Sequence, residues 1–117
     1  MVARGDPVRV SICHCLACQK RTGSAFGVQA RFPEDAVTVQ GRSAQFARTG
    51  DEGTTARFHF CPECGATVFW SMDAIPGYLT IPVGVFADPA FPPPFVSVYG
   101  LRKHPWVRLP DGLQCMD

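Results

Sequence analysis

No stretch of the 117-residue chain approaches the roughly 20 consecutive apolar residues that a membrane-spanning helix requires, and its first residues lack the apolar core of a secretory signal. A soluble, cytoplasmic protein is therefore expected rather than a membrane-embedded or exported one. A surplus of charge is missing too. Lys and Arg number 11 against 10 Asp and Glu, a formal net charge of +1, so no single-sign field exists to hold nucleic acid or an anionic membrane. Nor does any window of a dozen residues keep a 3.6-residue apolar period free of glycine and proline, which argues against a helical bundle. Repeats, linkers and low-complexity segments are absent as well, and Pro92-Pro93-Pro94 reads as a short stiff connector. One domain over residues 1–117 is expected, at ordinary domain size.

What the chain does have is apolar residues, 46% of it, punctuated by 11 glycines and 11 prolines. That punctuation suits a loop-rich β fold and stays below the level of disordered low-complexity chains. Alternation is the recurring signal: Val8, Val10 and Ile12 share one face, as do Phe26, Val28, Ala30 and Phe32. Short strands are predicted at Val37–Val39 and Ala44–Ala47, and Gly50-Asp51-Glu52-Gly53 reads as a hairpin turn into a strand over 54–60. In that strand Ala56, Phe58 and Phe60 face one way, Arg57 and His59 the other. Further strands are expected at Val68–Trp70 and over Tyr78–Val85. Only Cys15–Arg21, rich in good helix formers, predicts a helical turn.

Six cysteines are an excess for so small a chain, and their spacing is uneven. Disulfide frameworks spread their cysteines along secreted chains; here Cys13, Cys15 and Cys18 crowd together, Cys61 and Cys64 form a second pair, and Cys115 stands alone. Clustering as C-x-C-x2-C and C-x2-C favours a metal, zinc above all. In the first cluster a strand end that turns into one helical turn converges three sulfurs on a point. Three thiolates leave one tetrahedral position open, as at a catalytic zinc, unless a fourth ligand closes the site and makes it a staple. A tris-thiolate zinc carries net negative charge, a weak Lewis acid but a good host for another thiolate, which favours sulfur chemistry over water activation. His14 is read as a residue beside the metal or in the pocket. Cys61-Pro62-Glu63-Cys64-Gly65 is a knuckle supplying half a zinc site; joining it to Cys15 and Cys18 would leave Cys13 unexplained. Cys115 reads as a free thiol.

The string Cys13-His14-Cys15-x2-Cys18-Gln19 precedes Thr22-Gly23-Ser24-Ala25-Phe26. It is followed in order by Phe60-Cys61-Pro62-x-Cys64-Gly65, Phe69-Trp70, Gly84, Asp88-Pro89 and Arg102-x2-Pro105-Trp106-Val107. This succession resembles the glutathione-dependent formaldehyde-activating enzyme family, which also contains centromere protein V-like members. The resemblance implies a mainly β, Mss4-like zinc-binding fold, sandwich- or barrel-like with little helix. It implies a catalytic zinc on Cys13, Cys15 and Cys18, and a structural zinc on Cys61 and Cys64 completed by an N-terminal C-x-C-G strand. The sequence begins at Met1-Val2-Ala3-Arg4, twelve residues before Cys13, without that segment. At most one tightly held zinc is therefore expected, at the cluster with three local thiolates, with the second, structural site incomplete in this chain.

The implied reaction is carbon–sulfur lyase chemistry on a small thiol adduct: glutathione adding to formaldehyde to give S-hydroxymethylglutathione. Lys20 and Arg21 would attract a carboxylate of the thiol, although both also read as solvated charges at a turn, and His14 would lie near the substrate. His59, Tyr99 and His104 are candidate proton carriers; Phe69, Trp70 and Trp106 are read as core. A non-catalytic zinc-stabilised binding module is the alternative. A Cys15/Cys18 dithiol oxidoreductase is disfavoured because no βαβ pattern surrounds the pair.

Overall fold

Strand forms in this chain where side chains alternate between apolar and polar, because successive residues of an extended backbone face opposite ways. The computed structural model describes residues 1–50 and 53–117. Its strands are β1 (Val2–Ala3), β2 (Arg9–Cys13), β3 (Gly27–Pro33), β4 (Val37–Thr38), β5 (Ala44–Thr49), β6 (Thr55–Phe60), β7 (Thr67–Met72), β8 (Tyr78–Pro82), β9 (Val96–Val98) and β10 (Gln114–Met116). One α-helix, α1 (Leu16–Thr22), lies among them. The fold is mainly β with little helix, as the sequence predicts. Among the described residues no helix is long and apolar enough to cross a membrane.

β1 and β4 form a two-stranded antiparallel ribbon. The other strands form one eight-stranded sheet in the order β10-β9-β2-β3-β8-β7-β6-β5, antiparallel except where β9 runs parallel to β2 and β10. β7 and β8 share a single Cα pairing, Trp70 with Thr80. Register divides the sheet into two faces of different character. On one face Val10, Ala30 and Ile81 lie in a row, with Phe32 beside Leu79 in the next. These residues and Phe69 are the buried core, covered by Ala3, Val37, Val83, Phe86 and Phe91. The other face carries a row across six strands: Arg9, Arg31, Thr80, Trp70, Phe58 and Phe46. Alternation within each strand thus gives one side to the core and the other to the site.

Several boundaries differ from the sequence reading. The strand expected over Tyr78–Val85 ends at Pro82, where Val83–Phe86 turn as a 3-10 helix and Ala87 takes a left-handed conformation. That turn folds Val83, Val85 and Phe86 back against the core. Val8 precedes its strand and is exposed, and Phe26 lies just before β3, whose first residue is Gly27. The hairpin turn is flanked by Gly50 N–H donating to Thr54 O at 2.9 Å, with Gly53 N–H donating to Gly50 O at 3.0 Å; Asp51 and Glu52 lie outside the described residues. Trp106, expected in the core, is 66% exposed and sits edge-on to His104, because Val107 is the buried residue of that segment. No alternation marks β1, β9 and β10, because these strands have two or three residues each, too few for a period to register.

Candidate functional site

Convergence of the first three cysteines follows from a change of backbone geometry at the end of β2. Cys13 is its last residue, opposite Gly27 of β3 and Val98 of β9. The next N–H, of His14, still donates to Val98 O at 3.1 Å. Cys15 then caps α1: its backbone is extended (φ −62°, ψ 152°), and its Sγ accepts the Cys18 N–H at 3.3 Å. Cys18 follows one turn on. The helix stops where Gly23 adopts φ 67°, a left-handed cap that glycine takes without a Cβ clash, and donates its N–H to Gln19 O at 2.9 Å.

The Sγ atoms of Cys13, Cys15 and Cys18 all lie within 4.8 Å of one another. A tetrahedral zinc with bonds of about 2.3 Å separates its sulfurs by about 3.8 Å, so the donor set fits that metal. Among the described residues no fourth His, Cys, Asp or Glu ligand atom joins them, and the arrangement of Cys15 and Cys18 with Cys61 and Cys64 is not assembled. Cys13 and Cys18 are buried and Cys15 is half-buried. Hydrogen bonds from Cys13 and Cys18, aided by the charge of Arg48, hold the Cys15 thiol well below its usual range. Cys13 is pushed up by the same bonds to Cys15 and Cys18 and by burial. Cys18 gains from its bond to Cys13, but the bond to Cys15 and burial outweigh that and raise it. Of the three, Cys15 is the one whose thiol is held down, and it is also the least buried.

His14 lies behind this loop rather than in the cavity in front of it. It is fully buried, with Nε2 3.1 Å from Ser97 Oγ. Burial, then the charge of Lys103, lowers its pKa, so the neutral ring is favoured. Gln19 ties the loop to the segment after β9. Its Nε2 donates to His14 O at 2.8 Å and Arg102 O at 3.1 Å, and its Oε1 lies 2.9 Å from His104 Nε2. His59 pairs with Ser43 at 3.1 Å and stacks on Phe69 at 4.3 Å. Of the candidate proton carriers, only Tyr99 lines the cleft that holds the cysteines.

That cleft has a volume of about 890 Å³ over the site face of the sheet. Arg9, Arg31, Arg48 and Arg102 line it together with the three cysteines, and among the described residues Asp117 is the acidic side chain in its wall. Lys20 and Arg21 instead line an adjoining pocket of about 540 Å³, with Phe46, Phe58 and Phe60. Arg21 is no solvated turn residue: its guanidinium lies 4.6 Å from the Trp70 ring centre. Gly27 makes room for it, since a Cβ there would meet Arg21 Nη2 at 3.3 Å. Trp70 and Phe69 are both buried, as expected of core residues, but Trp70 also floors the cleft.

The second pair forms the anticipated knuckle, with Gly65 N–H donating to Cys61 O at 2.8 Å and Cys61 N–H to Ala66 O at 2.9 Å. Backbone N–H groups of Cys64 and Glu63 lower the Cys61 pKa. Cys64 is exposed, and neither sulfur belongs to the three-cysteine cluster. Cys115 is exposed on β10.

Sequence reasoning missed the arginines of the cleft. A signal for two of them existed: alternating back from Cys13 gives Ser11 and Arg9, and from Gly27 gives Gln29 and Arg31. Arg102 is marked only as part of the motif that ends in Pro105-Trp106-Val107, and nothing local marks Arg48, which reaches the cleft through the place of β5 in the sheet. Comparison with known proteins returns no match among curated sequences. The family model described as glutathione-dependent formaldehyde-activating enzyme matches residues 1–101, a span holding both cysteine groups and every strand except β10. The chain belongs to the glutathione-dependent formaldehyde-activating enzyme family.

Proposed function

We propose that the protein is a zinc-dependent carbon–sulfur lyase that joins glutathione, or a small thiol built like it, to formaldehyde and reverses that addition. The observation that carries this reading is the convergence of three cysteine sulfurs in a basic cleft, with no fourth side-chain ligand among the described residues. Cys13, Cys15 and Cys18 would hold the metal, which when bound supplies a Lewis acid able to keep a thiol ionised at neutral pH. In the reaction the thiol sulfur bonds to the carbonyl carbon, the carbon–oxygen π bond opens, and the thiol proton ends on the new hydroxyl.

The chain's own contribution is mainly placement. Free thiols already add to formaldehyde, so the gain comes from holding the two partners at the reacting distance. Arg48 and Arg21 set positive charge beside Cys15 and Cys18, which offsets the negative charge of a tris-thiolate centre. Tyr99 is the side chain in the cleft suited to carry the hydroxyl proton. Gln19 keeps the loop bearing the ligands in register with the segment after β9.

Formaldehyde loss measured with glutathione present tests the reading. Acceleration over the spontaneous rate by zinc-loaded protein, abolished by Cys15→Ser, is expected. No acceleration with any common low-molecular-weight thiol would overturn it and leave a zinc-stabilised binding module.

A further inference from the structure

Arg9 and Arg31 are direct cross-strand partners on the site face of the sheet. Like charges placed opposite each other oppose pairing of the strands, and each side chain here is half-buried. Compensation is missing among the described residues, where Arg57 with Asp73 is the ion pair. Arg9 Nη2 reaches only the Met116 sulfur, at 3.8 Å, and Arg9 Nε is buried with no hydrogen-bond partner. Burial, followed by the charge of Arg9, lowers the Arg31 pKa, with Tyr78 working the other way. Gln29 stands between this pair and the cysteines, and its Oε1 is likewise buried without a partner. That oxygen leans toward Gly27, the residue opposite Cys13: it would lie 3.6 Å from a Cβ at that position.

The two guanidinium groups thus lie opposite one another on β2 and β3 with no ion-pair partner among the described residues, and with Gln29 they line the cleft that ends at the cysteines. Arg9 stands four positions before Cys13 on β2, about 13 Å of extended strand. We infer that Arg9 and Arg31 form a carboxylate clamp that selects thiols of tripeptide length. A guanidinium fork matches a carboxylate in two parallel bonds. A short thiol seated at the cysteines cannot reach it. The inference rests on the proposed thiol chemistry only for which end of the ligand faces the cysteines.

Calorimetric titration with S-methylglutathione, which binds without reacting, tests the clamp on zinc-loaded wild type, Arg9→Gln and Arg31→Gln, with Arg57→Gln as the control. Charged hydrogen bonds of this kind set the expected loss at about ten- to a hundredfold in Kd for each clamp variant and none for the control. Wild type should bind the diethyl ester of S-methylglutathione about as weakly as the variants bind the acid. Because each variant removes a like-charge neighbour, its melting temperature should hold or rise, which an arginine with a purely structural role would not allow. Equal Kd values in wild type and variants, or equal losses for acid and ester, would overturn the clamp. The two proposals fail separately. Absent turnover with arginine-dependent S-methylglutathione binding refutes the lyase and retains the clamp. Unchanged KM for glutathione in both arginine variants refutes the clamp and retains the lyase.

Discussion

Cys15 holds the most consequential position in the chain because its sulfur serves two structures at once. It caps α1 by accepting the Cys18 N–H, and it lies within 4.8 Å of both other sulfurs. An oxygen at that position keeps the cap and loses the soft donor, since serine caps helices well but binds zinc poorly. Cys15→Ser and Cys18→Ser should therefore both lower bound zinc from one per chain to none in metal analysis after dialysis, while Cys115→Ser leaves it at one. Two zincs per wild-type chain after dialysis against a mild chelator would contradict the single-site count. The triad was legible in the sequence because its spacing is local. Whether a fourth ligand closes it was not, since a distant residue could have supplied one; His14, between two of the ligands in the chain, is turned to Ser97.

The helix and the strands position these residues through contacts distributed along each element. α1 has seven residues, too short to persist alone in water, so its stability is borrowed from its ends. Gln19 does much of this by bonding the carbonyls of His14 and Arg102 and the ring of His104. Gln19→Ala should cost about 1–3 kcal/mol in denaturant unfolding, the range for leaving hydrogen-bonding groups unsatisfied. It should also speed amide exchange at Val107, whose N–H is bonded to His104 O, and slow catalysis without releasing zinc. Strand alternation was readable for β2, β3 and β6. It failed at the end of β8, where apolar residues continue past Pro82 but the backbone turns beneath the core.

For the whole molecule, the arrangement depends on a sheet with one apolar and one functional face. Ile81, with no exposed surface, sits in the central row of the core beside Ala30. Ile81→Ala should destabilise by about 2–5 kcal/mol and Ile81→Val by about 0.5–1.5 kcal/mol, read from denaturant midpoints. The strand hosting Ile81 also carries Thr80 on the cleft face, so a collapsed core would displace the clamp and the Trp70 floor together. Removing zinc with a chelator should lower the melting temperature of wild type, because the metal binds the folded state and ties the end of β2 to α1. It should leave that of Cys15→Ser unchanged.

By itself the sequence determined what is local in the chain: the three sulfurs and their helical turn, the knuckle at Cys61 and Cys64, the alternating strands, and the succession of motifs that places the chain in its family. Periodicity and short spacing suffice for these because bond geometry dictates which neighbours share a face. The basic cleft was decided by tertiary structure. Arg48 comes to the same cleft as Cys15, and Arg21 lies over Trp70, only after β2, β3, β7 and β5 take their places in the sheet. Lys20 and Arg21, nearest in sequence to the cysteines, face the adjoining pocket instead. Proximity along a helix points successive side chains in different directions, whereas register across a sheet lines up residues far apart in the chain.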